Sequence, residues 1–238
     1  MDIEYEKVMH CDLCSDTGLR LEKIDGFVVS TRCKCHNKRL ILIALYKSGF
    51  YDEETGESVL DSMRFDNFDR DQDFQRSMYD LCQRFINQTE SRFLALTGQS
   101  GCGKTHLATA VCGHYINKGA DTIYTTFKKL MVEMKDKVTD DAAYGEVLRK
   151  FGGVSLLYID DFMKSAPTKA DIDHSFELIN LRVVSGKITI ITSERSLDEI
   201  IGIDEALGGR IKQKCGEFAM NIVKKEGRNY RTREKDSK

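Results

Sequence analysis

The chain contains one proline, Pro167, and neither a low-complexity tract nor an internal repeat, which leaves little room for disordered stretches away from its ends. It also lacks any run of about eighteen apolar residues, the length that a membrane-spanning helix needs. The opening MDIEYEKVMH places acids where a secretion signal would carry its apolar core, so the expected location is the cytoplasm and no membrane partner is expected. Excess charge of one sign is missing too. With 36 Lys+Arg against 38 Asp+Glu the net charge is −2, which argues against a protein that coats nucleic acid through bulk charge alone. What remains is ordinary globular material: 238 residues, 41% of them hydrophobic, enough for one large or two small domains.

The balanced total hides two uneven segments. Asp52 to Asp73 holds nine acids and two basic residues, and reads as an acidic linker; Lys224 to Lys238 holds seven basic residues and three acids, a basic tail that is either solvated or in contact with DNA. Eight cysteines in a cytoplasmic protein are expected to be reduced thiols, so a cluster among them points to metal rather than to disulfides. Cys11, Cys14, Cys33 and Cys35 form such a cluster. Two close pairs eighteen residues apart suit tetrahedral Zn²⁺, with FVVST between them supplying a hairpin strand. The second pair is separated by one residue instead of two, which leaves open that His10 or His36 replaces a neighbouring cysteine. Four incidental thiols are the alternative. A segment this short buries little core, and the metal would supply its folding energy. HNKRLILIALYKSG then reads as a short helix packed through Leu40, Ile43, Ala44 and Tyr46.

The sharpest motif is GQSGCGKT, Gly98 to Thr105, preceded by the apolar run FLALT and followed by Leu107, Ala110, Val111 and Tyr115 at helical spacing. Glycines at such spacing let successive N–H groups and a helix N-terminus converge on one anion. The nucleotide contacts expected from this loop are Gly98, Gln99, Ser100, Gly101, Cys102, Gly103, Lys104, Thr105 and His106, with Lys104 on the β/γ-phosphates and Thr105 on Mg²⁺. VSLLYIDDF, Val154 to Phe162, is a buried strand that delivers two carboxylates to the sheet edge. Asp160 is expected to complete the Mg²⁺ shell, and Asp161 to orient or activate the attacking water. KITIITSE, Lys187 to Glu194, is a further buried strand, and Ile172, Phe176, Ile179 and Val183 share one helical face before it. This order of strands and helices predicts an α/β parallel-sheet nucleoside triphosphatase.

GQSGCGKTHLA, LLYIDDF, IITSERSLDEI, DEALGGRI and GRNYR occur in the order found in AAA+ ATPases, and residues 63–232 resemble the DnaC/DnaI helicase-loader type, with the transposition helper IstB closely related. The likeness extends to the cysteine module, since DnaI-like and many phage-type loaders begin with a small zinc-binding region. It implies a zinc module over residues 1–46, an acidic linker over 47–62, and an AAA+ domain over 63–238 that ends in the basic tail. RFDNF, Arg64 to Phe68, would line the adenine pocket; simple core packing is the alternative. Arg210 would be the finger that reaches the γ-phosphate of a neighbouring subunit's ATP, and Arg231 a phosphate contact within its own subunit. One position departs from the family. Many relatives carry Asn after IITS, whereas Glu194 here would repel phosphate unless it is paired, for example with Arg195, or turned away; Ser193 is the other candidate for the polar contact.

The implied function is ATP-dependent loading of a DnaB-type replicative helicase onto single-stranded DNA by a homo-oligomer, in a phage, mobile element or bacterium. Phe127, Lys128 and Lys129 are candidate DNA contacts. Two alternatives stand beside it: an IstB-like transposition helper, and a nucleotide-gated DNA-binding assembly protein with little turnover, which Glu194 favours.

Overall fold

A computed structural model describes residues 11–15, 17–51, 58–88, 90 and 93–232. Five strands build the main sheet: β3 (Phe93–Gly98), β4 (Thr122–Thr126), β5 (Leu156–Asp160), β6 (Ile188–Ser193) and β7 (Ala219–Ile222). Their order is β4-β5-β6-β3-β7, and every neighbouring pair is parallel. Side chains alternate across it. Leu94, Leu96, Leu156, Tyr158 and Ile190 enter one core cluster, whereas Phe93, Ala95, Leu157, Ile159 and Ile191 enter the other. With both faces covered, β3 and β5 are buried at every position, and this is why they read as unbroken apolar runs.

One face is covered by α1 (His36–Lys47), α2 (Val59–Ser62), α3 (Asp73–Asn87) and α4 (Lys104–Asn117), which contribute Ala44, Met78, Phe85, Leu107 and Val111 among others. The opposite face carries α5 (Phe127–Asp136), α6 (Asp141–Gly153), α7 (Lys169–Val184), α8 (Leu197–Ile203) and α9 (Glu205–Cys215). Local signals start these helices. Thr168 and Asp171 form a capping box on α7, Ser196 and Glu199 form one on α8, and Asp140 and Asp204 cap α6 and α9. Among the described residues no helix is long and apolar enough to cross a membrane.

The face of α7 differs from the expected one. Ile172, Phe176 and Val183 are only partly buried, and the seam that faces the core is turned by about one residue to Asp171, Ser175, Leu178, Ile179 and Arg182. Arg182 is fully buried because each of its three guanidinium nitrogens finds an acceptor: Nε on Thr189 Oγ1 at 2.8 Å, Nη1 on the carbonyls of Phe151 (2.6 Å), Val154 (3.0 Å) and Gly152, and Nη2 on that of Ile188. Apolar periodicity cannot show such a satisfied polar seam.

Ahead of the sheet, β1 (Leu19–Ile24) and β2 (Phe27–Arg32) form an antiparallel hairpin closed at Asp25-Gly26, with φ of 52° and 86° as a two-residue primed turn requires. The region expected as an acidic linker, 47–62, holds chain that is packed. Phe50 is 2% exposed and stacks on Tyr124 at 4.7 Å, the Ser48 carbonyl accepts from Tyr124 N–H at 2.6 Å, and Leu60 packs on the same core. Residues 52–57 lie outside the described residues.

Candidate functional site

The loop between β3 and α4 is shaped by three glycines with positive φ, Gly98 (101°), Gly101 (70°) and Gly103 (97°). A Cβ at Gly98 would lie 2.1 Å from the Ile222 carbonyl oxygen, and one at Gly103 would lie 2.7 Å from the Phe68 ring. Larger residues are excluded on both counts. Ser100 through His106 line a cavity of about 440 Å³, a size suited to a nucleotide. Gly98 and Gln99 stand behind it: their carbonyls accept from Lys104 Nζ at 2.9 and 2.6 Å, and Gln99 Oε1 accepts from Lys225 N–H at 2.8 Å. Burial lowers the Lys104 ammonium from its ordinary value, with partial compensation from Cys102 and from the carboxylates of Glu194, Asp160 and Asp161.

Because β5 and α4 meet the cavity side by side, Thr105 Oγ1 lies 3.4 Å from both carboxylate oxygens of Asp160. A hydroxyl and a carboxylate at this spacing form the hard oxygen set that Mg²⁺ takes. Asp160 is fixed from behind by Asp161 N–H at 2.9 Å and by a short hydrogen bond from the Thr192 hydroxyl, a positioning residue that the sequence reading passed over. Asp161 has a left-handed backbone, φ 54°, and pairs with Lys164, whose ammonium also lies 3.1 Å from Glu194. Burial works to raise the Glu194 carboxyl, but Lys164, the Ser100 hydroxyl and Lys104 together hold it below its usual value.

The partner of Glu194 is therefore Lys164. Arg195 instead donates through Nε to the Met163 carbonyl at 2.6 Å. The Ser193 hydroxyl donates to the Phe162 carbonyl at 2.7 Å and accepts from Arg195 N–H, and it does not line the cavity. β6 lies between β5 and β3, so its polar end falls between the two nucleotide motifs. In RFDNF, Phe68 lines the cavity and meets His106 edge-on at 5.1 Å, whereas Phe65 packs on Tyr79. The sequence reading also missed Arg228 and Tyr230. The chain after β7 folds back over the loop, with Tyr230 N–H bonded to the Gly101 carbonyl at 2.9 Å, and this brings Arg228 into the cavity with its guanidinium 5.0 Å above the Phe74 ring. Arg231 begins its register three residues later; its side chain and the tail 233–238 lie outside the described residues.

Arg210, on α9, does not line this cavity; its guanidinium sits 4.4 Å above the Phe176 ring on α7. Phe127 is buried edge-on against Phe162 at 4.9 Å, so it offers no open stacking plane, whereas Lys128 and Lys129 are exposed.

The sulfurs of Cys11, Cys14, Cys33 and Cys35 all lie within 4.8 Å of one another, with Cys11 to Cys33 at 3.8 Å and Cys14 to Cys35 at 3.3 Å. Tetrahedral zinc with bonds of about 2.3 Å sets its sulfurs about 3.8 Å apart, so the donor set fits the ion. His36 is not part of this group, and His10 lies outside the described residues. Burial opposes ionisation of the Cys14 thiol, yet hydrogen bonds from Cys35 and from Gly18 N–H bring it down to about 7, while the same bond to Cys14 pushes the Cys35 thiol up, so that without a metal the two sulfurs share a proton.

Comparison with known proteins agrees with this geometry. The model of the family described as IstB-like ATP binding protein matches residues 56–237. The uncharacterized protein YqaM of Bacillus subtilis is 30% identical over 81% of this chain and 63% of its own length, and the phage-like element PBSX protein XkdC of the same organism is 27% identical over 89% and 82%. The matched part thus spans less than two thirds of YqaM. Among solved structures, the DnaC helicase loader superposes with a TM-score of 0.57 at 21% identity, covering 70% of this chain and 98% of that one. The five-stranded parallel sheet, the glycine loop opening α4 and the acidic end of β5 are accordingly those of an AAA+ P-loop fold, and the chain belongs to the IstB-like ATP-binding family.

Proposed function

We propose that this protein is an ATPase that assembles as a homo-oligomer on ATP and single-stranded DNA and loads a DnaB-type replicative helicase. The observation that carries the ATPase reading is the convergence of Lys104, Thr105 and Asp160 on one cavity, with the Thr105 hydroxyl 3.4 Å from the Asp160 carboxylate. Thr105 and Asp160 would hold Mg²⁺, which when bound neutralises charge on the β- and γ-phosphates. Asp161 orients the attacking water and takes its proton. Arg210 supplies its charge to the site of a neighbouring subunit, a role supported by its place outside its own cavity. The loader reading is supported by the fold shared with the DnaC loader and by the four-cysteine module, which would hold one Zn²⁺. Lys128 and Lys129 remain the candidate phosphate contacts for DNA. The family name favours a second reading, a helper ATPase in transposition.

The test is a mixing experiment. Lys104→Ala and Arg210→Ala should each lose hydrolysis, about 10³-fold for the arginine, with Arg210→Ala still binding ATP. Mixed together, they form interfaces that pair a sound phosphate loop with a sound arginine, and hydrolysis should partly return. Inactive mixtures, under conditions where the unmodified protein assembles and hydrolyses ATP, would remove Arg210 from the site. Retention of a DnaB-type helicase by the full chain separates the loader from the transposition helper; no retention overturns the loader reading.

A further inference from the structure

Lys164 follows Asp161 by three residues in the turn after β5, and its ammonium lies 3.3 Å from Asp161 Oδ2 and 3.1 Å from Glu194 Oε1. Glu194 and Ser100 of the phosphate loop line the same cavity, and the Ser100 hydroxyl helps to hold the Glu194 carboxyl below its usual value. All four residues line the nucleotide cavity, at the end that Lys104, Thr105 and Asp160 mark for the outer phosphates. Two strand ends thus aim carboxylates at the place where a γ-phosphate would sit. An uncompensated carboxylate a few ångströms from a phosphoryl oxygen lowers affinity by roughly tenfold at a half-exposed site. Lys104 Nζ donates to the Gly98 and Gln99 carbonyls and Arg195 Nε to the Met163 carbonyl, so the ammonium at ion-pair distance from Glu194 is that of Lys164.

We propose that Lys164 is a positioning residue of the ATP site, which cancels the charge of Glu194 and Asp161 at the γ-phosphate end and thereby sets the preference for triphosphate over diphosphate. The inference rests on the ATP-binding reading above. It also explains how an acid is tolerated where an amide is usual in the resembling ATPases: the acid comes with its own counter-ion. Fold stability does not require the pair. Side-chain exposures of 48% for Lys164 and 35% for Glu194 make it worth little to folding, so variants at both positions should fold.

The experiment measures the affinity of the full-length protein for a non-hydrolysable ATP analogue and for ADP, each with Mg²⁺. Lys164→Ala should weaken the triphosphate about tenfold and ADP less than about threefold, because only the triphosphate reaches the two carboxylates. Glu194→Gln placed in the Lys164→Ala background should recover most of that loss, and Lys164→Arg should resemble the unmodified protein. Equal loss for both nucleotides, or no recovery on adding Glu194→Gln, would overturn the proposal and leave Lys164 as a surface ion pair. If the unmodified protein binds neither nucleotide, or Lys104→Ala binds as well as it does, the ATP-site reading itself has failed. If Lys104→Ala abolishes binding while Lys164→Ala changes nothing, only this inference falls.

Discussion

Arg228 and Arg231 are three residues apart on the same segment; Arg228 lines the nucleotide cavity, and the Arg231 side chain lies outside the described residues. A guanidinium there is held from below by the Phe74 ring and donates to the Val223 carbonyl at 2.8 Å, which leaves further donors for phosphate or ribose. Arg228→Ala should therefore weaken binding of a fluorescent ATP analogue by about tenfold, the usual scale for one charge-assisted hydrogen bond. A titration of Arg228→Ala beside Arg231→Ala decides which arginine serves; a larger loss for Arg231→Ala would return the role to the residue that the family resemblance suggested. Ser193 and Glu194 show the same dependence on single-residue geometry. Successive side chains at a strand end point to opposite sides, and here the hydroxyl turns to the Phe162 carbonyl while the carboxylate reaches Lys164 and the cavity.

At the scale of elements, α7 is tied to the sheet by a charge rather than by apolar contacts alone. Burial pushes the Arg182 guanidinium down to about 9, yet its hydrogen bonds reach the end of α6, the entry to β5 and the start of β6. Replacing it with methionine fills similar volume but strands several carbonyls in the interior. Arg182→Met should destabilise the protein by roughly 3–5 kcal/mol, which a urea unfolding midpoint would report; a cost below about 1 kcal/mol would show that water reaches those carbonyls. The glycine loop works in the opposite way. Its shape comes from close backbone approach, such as Gly98 against the Ile222 carbonyl, which couples the phosphate loop to β7 and so to the segment that carries Arg228.

For the whole molecule, the cysteine cluster and the five-stranded sheet draw their stability from different sources. The hairpin leaves Leu21 77% and Phe27 74% exposed, and the buried cluster of this module consists of cysteines alone among the described residues. With so little apolar burial, a metal held by the four thiols would supply the folding energy. Elemental analysis should find one zinc per chain. A strong chelator should expose the segment around Cys11 to Cys35 to protease while ATP-analogue binding persists, because the nucleotide cavity is built on the separately packed sheet. Retention of the module's fold without metal would refute this. The sequence by itself determined the phosphate loop, the acidic end of β5 and the α/β order, because those features need particular residues at short, fixed spacings. It also marked the two close cysteine pairs as a candidate metal site, whereas the fold brought all four sulfurs within 4.8 Å of one another and left His36 out of the group. Only the tertiary structure decided that Phe50 joins the core, that Phe127 is buried, that Arg182 forms a polar seam, and that Lys164 and not Arg195 answers Glu194. Each of these depends on which groups from distant parts of the chain arrive at one place, and a long flexible side chain can reach more than one of them.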